Sequence, residues 1–159
     1  ISIALHHGDK IIAGVIYDPV HNDFYWAEEG IGAYLNDQRL RVKSKKTLDK
    51  SIIALGIPFL GRGDHQQHIK FQQAVMSKVA GLRRFGAASL DLAFVAAGRV
   101  DGFWEFGLSP WDIAAGIILV KEAGGLAIGI DNKEDPLITG NIVAGNVNIV
   151  QELQKILNT

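Results

Sequence analysis

A chain of 159 residues carries one domain's worth of sequence, and 48% apolar with 21% charged residues is ordinary for a globular protein. The net charge of −1 gives no overall field that favours nucleic acid or a membrane surface, and no apolar run nears the roughly 20 residues of a membrane span. The absence of cysteine excludes disulfides and thiolate metal sites, and a reducing cytoplasm is the expected compartment.

Along the chain, Ile1 to Leu5 and Ile11 to Tyr17 are β-rich runs separated by Gly8-Asp9-Lys10, the spacing and turn chemistry of a hairpin. The first run lacks the basic start and cleavage site of a signal peptide. With no Met at position 1, the sequence reads as entering a domain already under way, or as a chain whose first strand is its first element. Asp23 to Ala27 is a third strand, followed by a turn at Glu29 to Gly32. Ala33 to Leu35 and Gln38 to Val42 suggest a further hairpin around Asn36-Asp37, and the meander finishes at Ser51 to Leu55. Asp64 to Ala80 then has apolar residues at Ile69, Phe71, Val75, Met76 and Val79, roughly helical in period, and Gly81 stops it. Leu82 to Phe85 is a short strand, Ser89 to Ala97 a helix, Val100 to Phe106 a strand and Ser109 to Ala123 a helix. Strands at 126–130 and 142–144 and an amphipathic helix at 147–157 complete the chain. Antiparallel strands followed by alternating strands and helices predict an α/β (α+β mixed) fold, a mixed sheet with helices packed on it, in a single domain over 1–159.

Three stretches can carry chemistry. Ser109-Pro110-Trp111-Asp112 opens a helix, with Ser109 placed as N-cap, Pro110 at N1 and Asp112 at N3. Asp112 therefore either accepts backbone N–H bonds as a cap or turns outward to hold a hard, oxygen-seeking cation such as Mg²⁺. Arg83 to Ser89 runs from a strand through Gly86-Ala87-Ala88 into a helix, leaving backbone N–H groups reachable by a phosphate or a sugar hydroxyl. As a bare pattern this is any tight strand-to-helix turn. Glu105 ends a strand beside Gly107, a common place for a ligand contact and equally for a solvated carboxylate.

Elsewhere, His65 and His68 have chelating spacing but no third ligand, so a solvated helix face is expected. Arg39, Arg41, Lys43, Lys45, Lys46 and Lys50 could touch RNA or phosphate, or guard an edge strand with charge. Trp26, Trp104 and Trp111 are expected in the core, not as a base-stacking platform.

Taken together, Arg83 to Glu105, Gly107 to Gly116 and Glu122 to Gly125, with Gly14 to Pro19 and Gly30 to Asn36 upstream, resemble the inositol monophosphatase family, most closely its bacterial extragenic-suppressor (SuhB-like) branch. The likeness covers nearly the whole chain. It implies the C-terminal portion of that family's layered fold and Mg²⁺-dependent hydrolysis of inositol monophosphate or a similar sugar or polyol phosphate. By the resemblance, Asp112 matches the aspartate that holds metal and activated water, Glu105 the residue that binds substrate hydroxyls, and Gly86, Ala87 and Ala88 the backbone lining the substrate. Arg83 matches a basic residue near the site. The family's upstream Glu and its D-P-I-D-G-T segment, which supply most metal ligands, have no counterpart in these residues. The resemblance therefore implies a chain without the N-terminal metal-binding half, inactive alone, and exposing a face that the missing half covers. A cytoplasmic homodimer is the family expectation. The rival expectation is a non-catalytic binding or assembly module linked to RNA or transcription complexes, and bisphosphate nucleotidases and fructose-bisphosphatases fit the motifs less well.

Overall fold

The computed structural model describes residues 1–159, and its ten strands divide into two sheets. The first is an antiparallel meander of β1 (Ser2–His7), β2 (Lys10–Asp18), β3 (Asp23–Glu28), β4 (Gly32–Leu35) and β5 (Gln38–Arg39), in that order. Its turns fall where the residues tolerate a left-handed backbone: Gly8 at φ +60°, Asn22 at 56° and Asn36 at 51°. Pairing stops at Arg39 instead of running to Val42. Leu40 turns into the core, and the Val42 N–H donates to Ala123 O at 3.1 Å, so the chain leaves the sheet to tie down a helix end.

The second sheet is mixed, as the alternating half of the sequence implies. Its order is β7 (Gly81–Arg83), β6 (Ile52–Leu55), β8 (Gly102–Glu105), β10 (Ile142–Gly145) and β9 (Leu126–Ile128). The first three strands are parallel, and β10 runs antiparallel to β8 and β9. The helices are α1 (His65–Met76), α2 (Ala88–Ala96), α3 (Pro110–Glu122), a one-turn α4 (Pro136–Thr139) and α5 (Val147–Leu157). Asp64 caps α1 by accepting the Gln67 N–H at 2.9 Å, and Asn146 caps α5 by accepting from Asn148 and Ile149. The small α4 has its own Asp135-Pro136 start, which sequence periodicity did not resolve because one turn has no period.

Four layers result. Helices α2 and α3 lie between the two sheets, where Ile16, Tyr25 and Ala33 from one sheet and Ala54, Phe103 and Ile142 from the other meet Leu92, Ile113 and Leu119. The far face of the second sheet packs Ile53, Trp104 and Val143 on Phe71 and Val75 of α1 and Ile149, Val150 and Leu153 of α5. The middle layer is tight. A Cβ added at Gly14 would stand 2.9 Å from Ala115 Cα, and one at Gly116 would run into the Leu92 side chain. The Ala114-Ala115-Gly116 run is thus what lets α3 approach both β2 and α2.

Two expectations change here. Trp104 is fully buried and Trp26 half-buried, stacked on Tyr34 with centroids 4.5 Å apart, but Trp111 is 73% exposed. It occupies the first turn of α3, before the helix enters the core. His68 is buried, not solvated, because its ring packs 5.1 Å from Trp104, whereas His65 stays outside and contacts Phe59 O.

Candidate active site

Three parallel strands send their carboxyl ends to one edge of the second sheet, the edge where open α/β sheets bind ligands. Gly56 follows β6, Arg83 ends β7 and Glu105 ends β8. Residue pairing sets Ile142, the first residue of β10, opposite Glu105, so Asn141 reaches the same edge. There its Oδ1 accepts the Gly107 N–H at 3.2 Å. The N-terminus of α3 points here too. A cavity of about 270 Å³ lies between the β6–α1 loop, the end of β8 and the start of α3, and Glu105, Asp112, Ser109, Asn141, His68 and Phe71 are among its lining.

Asp112 does what its position dictates. Its Oδ2 accepts the Ser109 N–H at 3.0 Å, closing the start of α3 and leaving the rest of the carboxylate toward the cavity. The capping reading and the ligand reading are therefore compatible in one side chain. Glu105 is half-buried, and burial pushes its carboxyl up to about 7. The charges of Asp91 and Asp112 push the same way, and the Arg84 guanidinium partly offsets them.

Arg83, Gly86, Ala87 and Ala88 do not line this cavity. The Arg83 guanidinium donates to Leu82 O at 2.8 Å and lies exposed. Gly86 takes φ +90° to turn the chain into α2. Ala87 is the N-cap of α2 and offers no side-chain acceptor, so the first N–H groups of that helix keep their donors for another partner. Two residues escape sequence reasoning. Arg84 is the cation that acts on Glu105 and Asp91, and strand alternation is the only signal that separates it from Arg83. Asp91 is 1% exposed with neither carboxylate oxygen hydrogen-bonded, and burial pushes it up to about 7. In sequence it reads as an ordinary acidic residue in a first helical turn.

No group of three or more His, Asp or Glu side chains converges closely enough to hold a metal ion. The carboxylates lining the cavity are Asp64, Glu105 and Asp112; Asp64 caps α1, the three do not converge on one point, and the set alone does not fit a catalytic pair of Mg²⁺ ions.

The model of the inositol monophosphatase family matches residues 1–158. The inositol-1-monophosphatase of Mesorhizobium japonicum is 50% identical over 155 residues, 98% of this chain and 58% of that protein. The Nus factor SuhB of Escherichia coli K12 is 44% identical over 153 residues, 96% of this chain and 57% of that protein. The crystal structure of extragenic suppressor protein suhB from Bartonella henselae superposes with a TM-score of 0.95 at 46% identity, covering 99% of this chain and 60% of that one. The inositol monophosphatase from Anabaena gives 0.91 at 38% identity, covering 99% and 64%. The chain spans less than two-thirds of the length of these relatives. It belongs to the inositol monophosphatase family, in its SuhB-like branch.

Proposed function

We propose that this chain is the C-terminal portion of a Mg²⁺-dependent phosphomonoesterase acting on inositol monophosphate or a related sugar or polyol phosphate. The carrying observation is that Glu105 and Asp112, from different elements, line one cavity at the carboxyl edge of the sheet. In this reading Glu105 exchanges hydrogen bonds with substrate hydroxyls, a task suited to a carboxyl titrating near neutrality. The uncapped start of α2 at Gly86-Ala87-Ala88 lies outside that cavity, on the side of Glu105 acted on by Arg84 and Asp91, and in this reading it gives backbone N–H donors to a polyol that extends past Glu105, with Arg83 and Arg84 supplying positive charge at the strand edge. Asp112 contributes one metal ligand.

The remaining ligands come from a metal-binding segment N-terminal to residue 1, and the chain alone is inactive. Support comes from the position of β1. Ser2 Oγ donates to Trp111 O at 3.1 Å, which holds β1 against the turn of α3 that carries Asp112. The complete protein works in the cytoplasm as a homodimer.

A second reading, a non-catalytic assembly module for RNA or transcription complexes, draws on the run from Arg39 to Lys50, none of whose six cations forms an ion pair. Phosphate release from inositol 1-phosphate by the purified chain, with Mg²⁺ and with Asp112→Asn as control, tests the first reading. No release above the control is the expected result. Release lost in the variant would mean that these 159 residues complete a metal site.

A further inference from the structure

Gly56 is buried directly after β6, and its N–H donates to Trp104 O at 3.3 Å, one residue before Glu105. Its φ lies outside the left-handed region, so the backbone itself does not require glycine there. The requirement comes from the neighbour. A Cβ added at Gly56 would fall inside the Glu105 carboxyl group, overlapping Cδ and both Oε atoms. The carboxylate occupies the volume that any other residue's first side-chain carbon would take. Glu105 is thereby laid across the backbone of β6 at the mouth of the cavity that also receives Asp112.

We infer that Gly56 is a positioning residue for substrate recognition: its missing side chain is the seat of the Glu105 carboxylate. This rests on the reading of Glu105 as the group that binds substrate hydroxyls. Because the three atoms nearest an added Cβ all belong to Glu105, and Asp112 is carried by a different element, α3, filling the seat acts first on the hydroxyl-binding group. The effect should follow the hydroxyls of the leaving group and not the phosphate.

Two arms test it. In this chain, Gly56→Ala should lower Tm by about 2–4 °C, because the far end of Glu105 swings aside, and adding Glu105→Ala should recover most of that loss because the overlap is gone. Purely additive losses would overturn the seat. If Gly56→Ala does not fold, folding restored by Glu105→Ala supports the proposal, and failure of both to fold contradicts it. In the protein extended by its upstream segment, Gly56→Ala should raise KM for inositol 1-phosphate about tenfold with kcat little changed. KM for phenyl phosphate, whose leaving group has no spare hydroxyl, should stay put. Equal effects on both substrates would mean general damage and sink the idea. Glu105→Gln keeps the two claims apart. An unchanged KM for inositol 1-phosphate in that variant, with the thermal coupling intact, would refute the hydroxyl-binding role and not the seat.

Discussion

Asp112 serves two ends that one substitution can separate. Asn keeps an acceptor for the Ser109 N–H but loses the charge a hard cation needs. In a protein that carries the proposed upstream metal-binding segment, Asp112→Asn should cut hydrolysis by about 100-fold or more, while thermal unfolding shows a loss below about 1 kcal/mol. Asp91 and Glu105 make a second residue-scale prediction. Both carboxyls titrate near 7 in the folded chain, well above the ordinary carboxylate range, chiefly through burial. The folded state therefore binds their protons more tightly than the unfolded one. Their contribution to stability is greatest below the ordinary carboxylate range and falls as pH rises toward 7, and it outweighs the opposite, smaller pull of buried His68, whose burial favours the neutral ring. Melting at pH 5 and pH 8 should show the lower Tm at pH 8, and Asp91→Asn should raise the pH 8 value and flatten the difference. A wild-type Tm that climbs between those pH values would contradict the assignment. At this scale the sequence was informative where a side chain acts through a local motif, as Asp112 does. It was uninformative where burial decides: His68 and Asp91 carry no mark of their surroundings, and Trp111 carries none of its exposure.

At the scale of elements, α3 is the part on which both the site and the packing depend. Its first turn presents Asp112, and its middle is pared to Ala114, Ala115 and Gly116 so that two neighbours can approach. Gly116→Ala adds the helix former par excellence, yet its methyl meets Leu92. Overpacking should outweigh propensity and destabilise by about 1–3 kcal/mol in denaturant unfolding. A gain in stability would mean that α2 and α3 are not in the contact described. Helix starts were legible because Asp64, Ser109 and Asn146 announce them chemically. The end of β5 was not, because Leu40 and Val42 satisfy the alternation of a strand while actually packing into the middle layer and tying to Ala123. A period of two states that one face is buried, not what buries it.

For the whole molecule, the outer face of the first sheet is the open question of packing. Register sets Ile3, Val15, Trp26 and Tyr34 in one row across that face. Ile3 and Leu5 are more than half exposed there, with Phe24 and Ile1 nearby also open. An apolar sheet face of this kind favours association. The purified chain should grow in mean mass with concentration in light scattering, and Ile3→Lys with Leu5→Lys should suppress the growth. A wild-type chain that stays monomeric at every concentration would contradict this. The family, and with it a layered α/β class, was legible because Arg83 to Gly116 holds small residues, caps and carboxylates in a distinctive order. The division into two sheets was less so, since nothing in strand periodicity says which strands share a sheet. The central claim, that these residues are one portion of a metal-dependent phosphatase site, is tested most directly by joining the proposed upstream metal-binding segment to this chain in one polypeptide. Mg²⁺-dependent release of phosphate from inositol 1-phosphate is then measured. Activity that appears only in the joined protein, and is lost with Asp112→Asn, is the predicted result. A joined, folded protein with no release, or with release indifferent to Asp112, would contradict it.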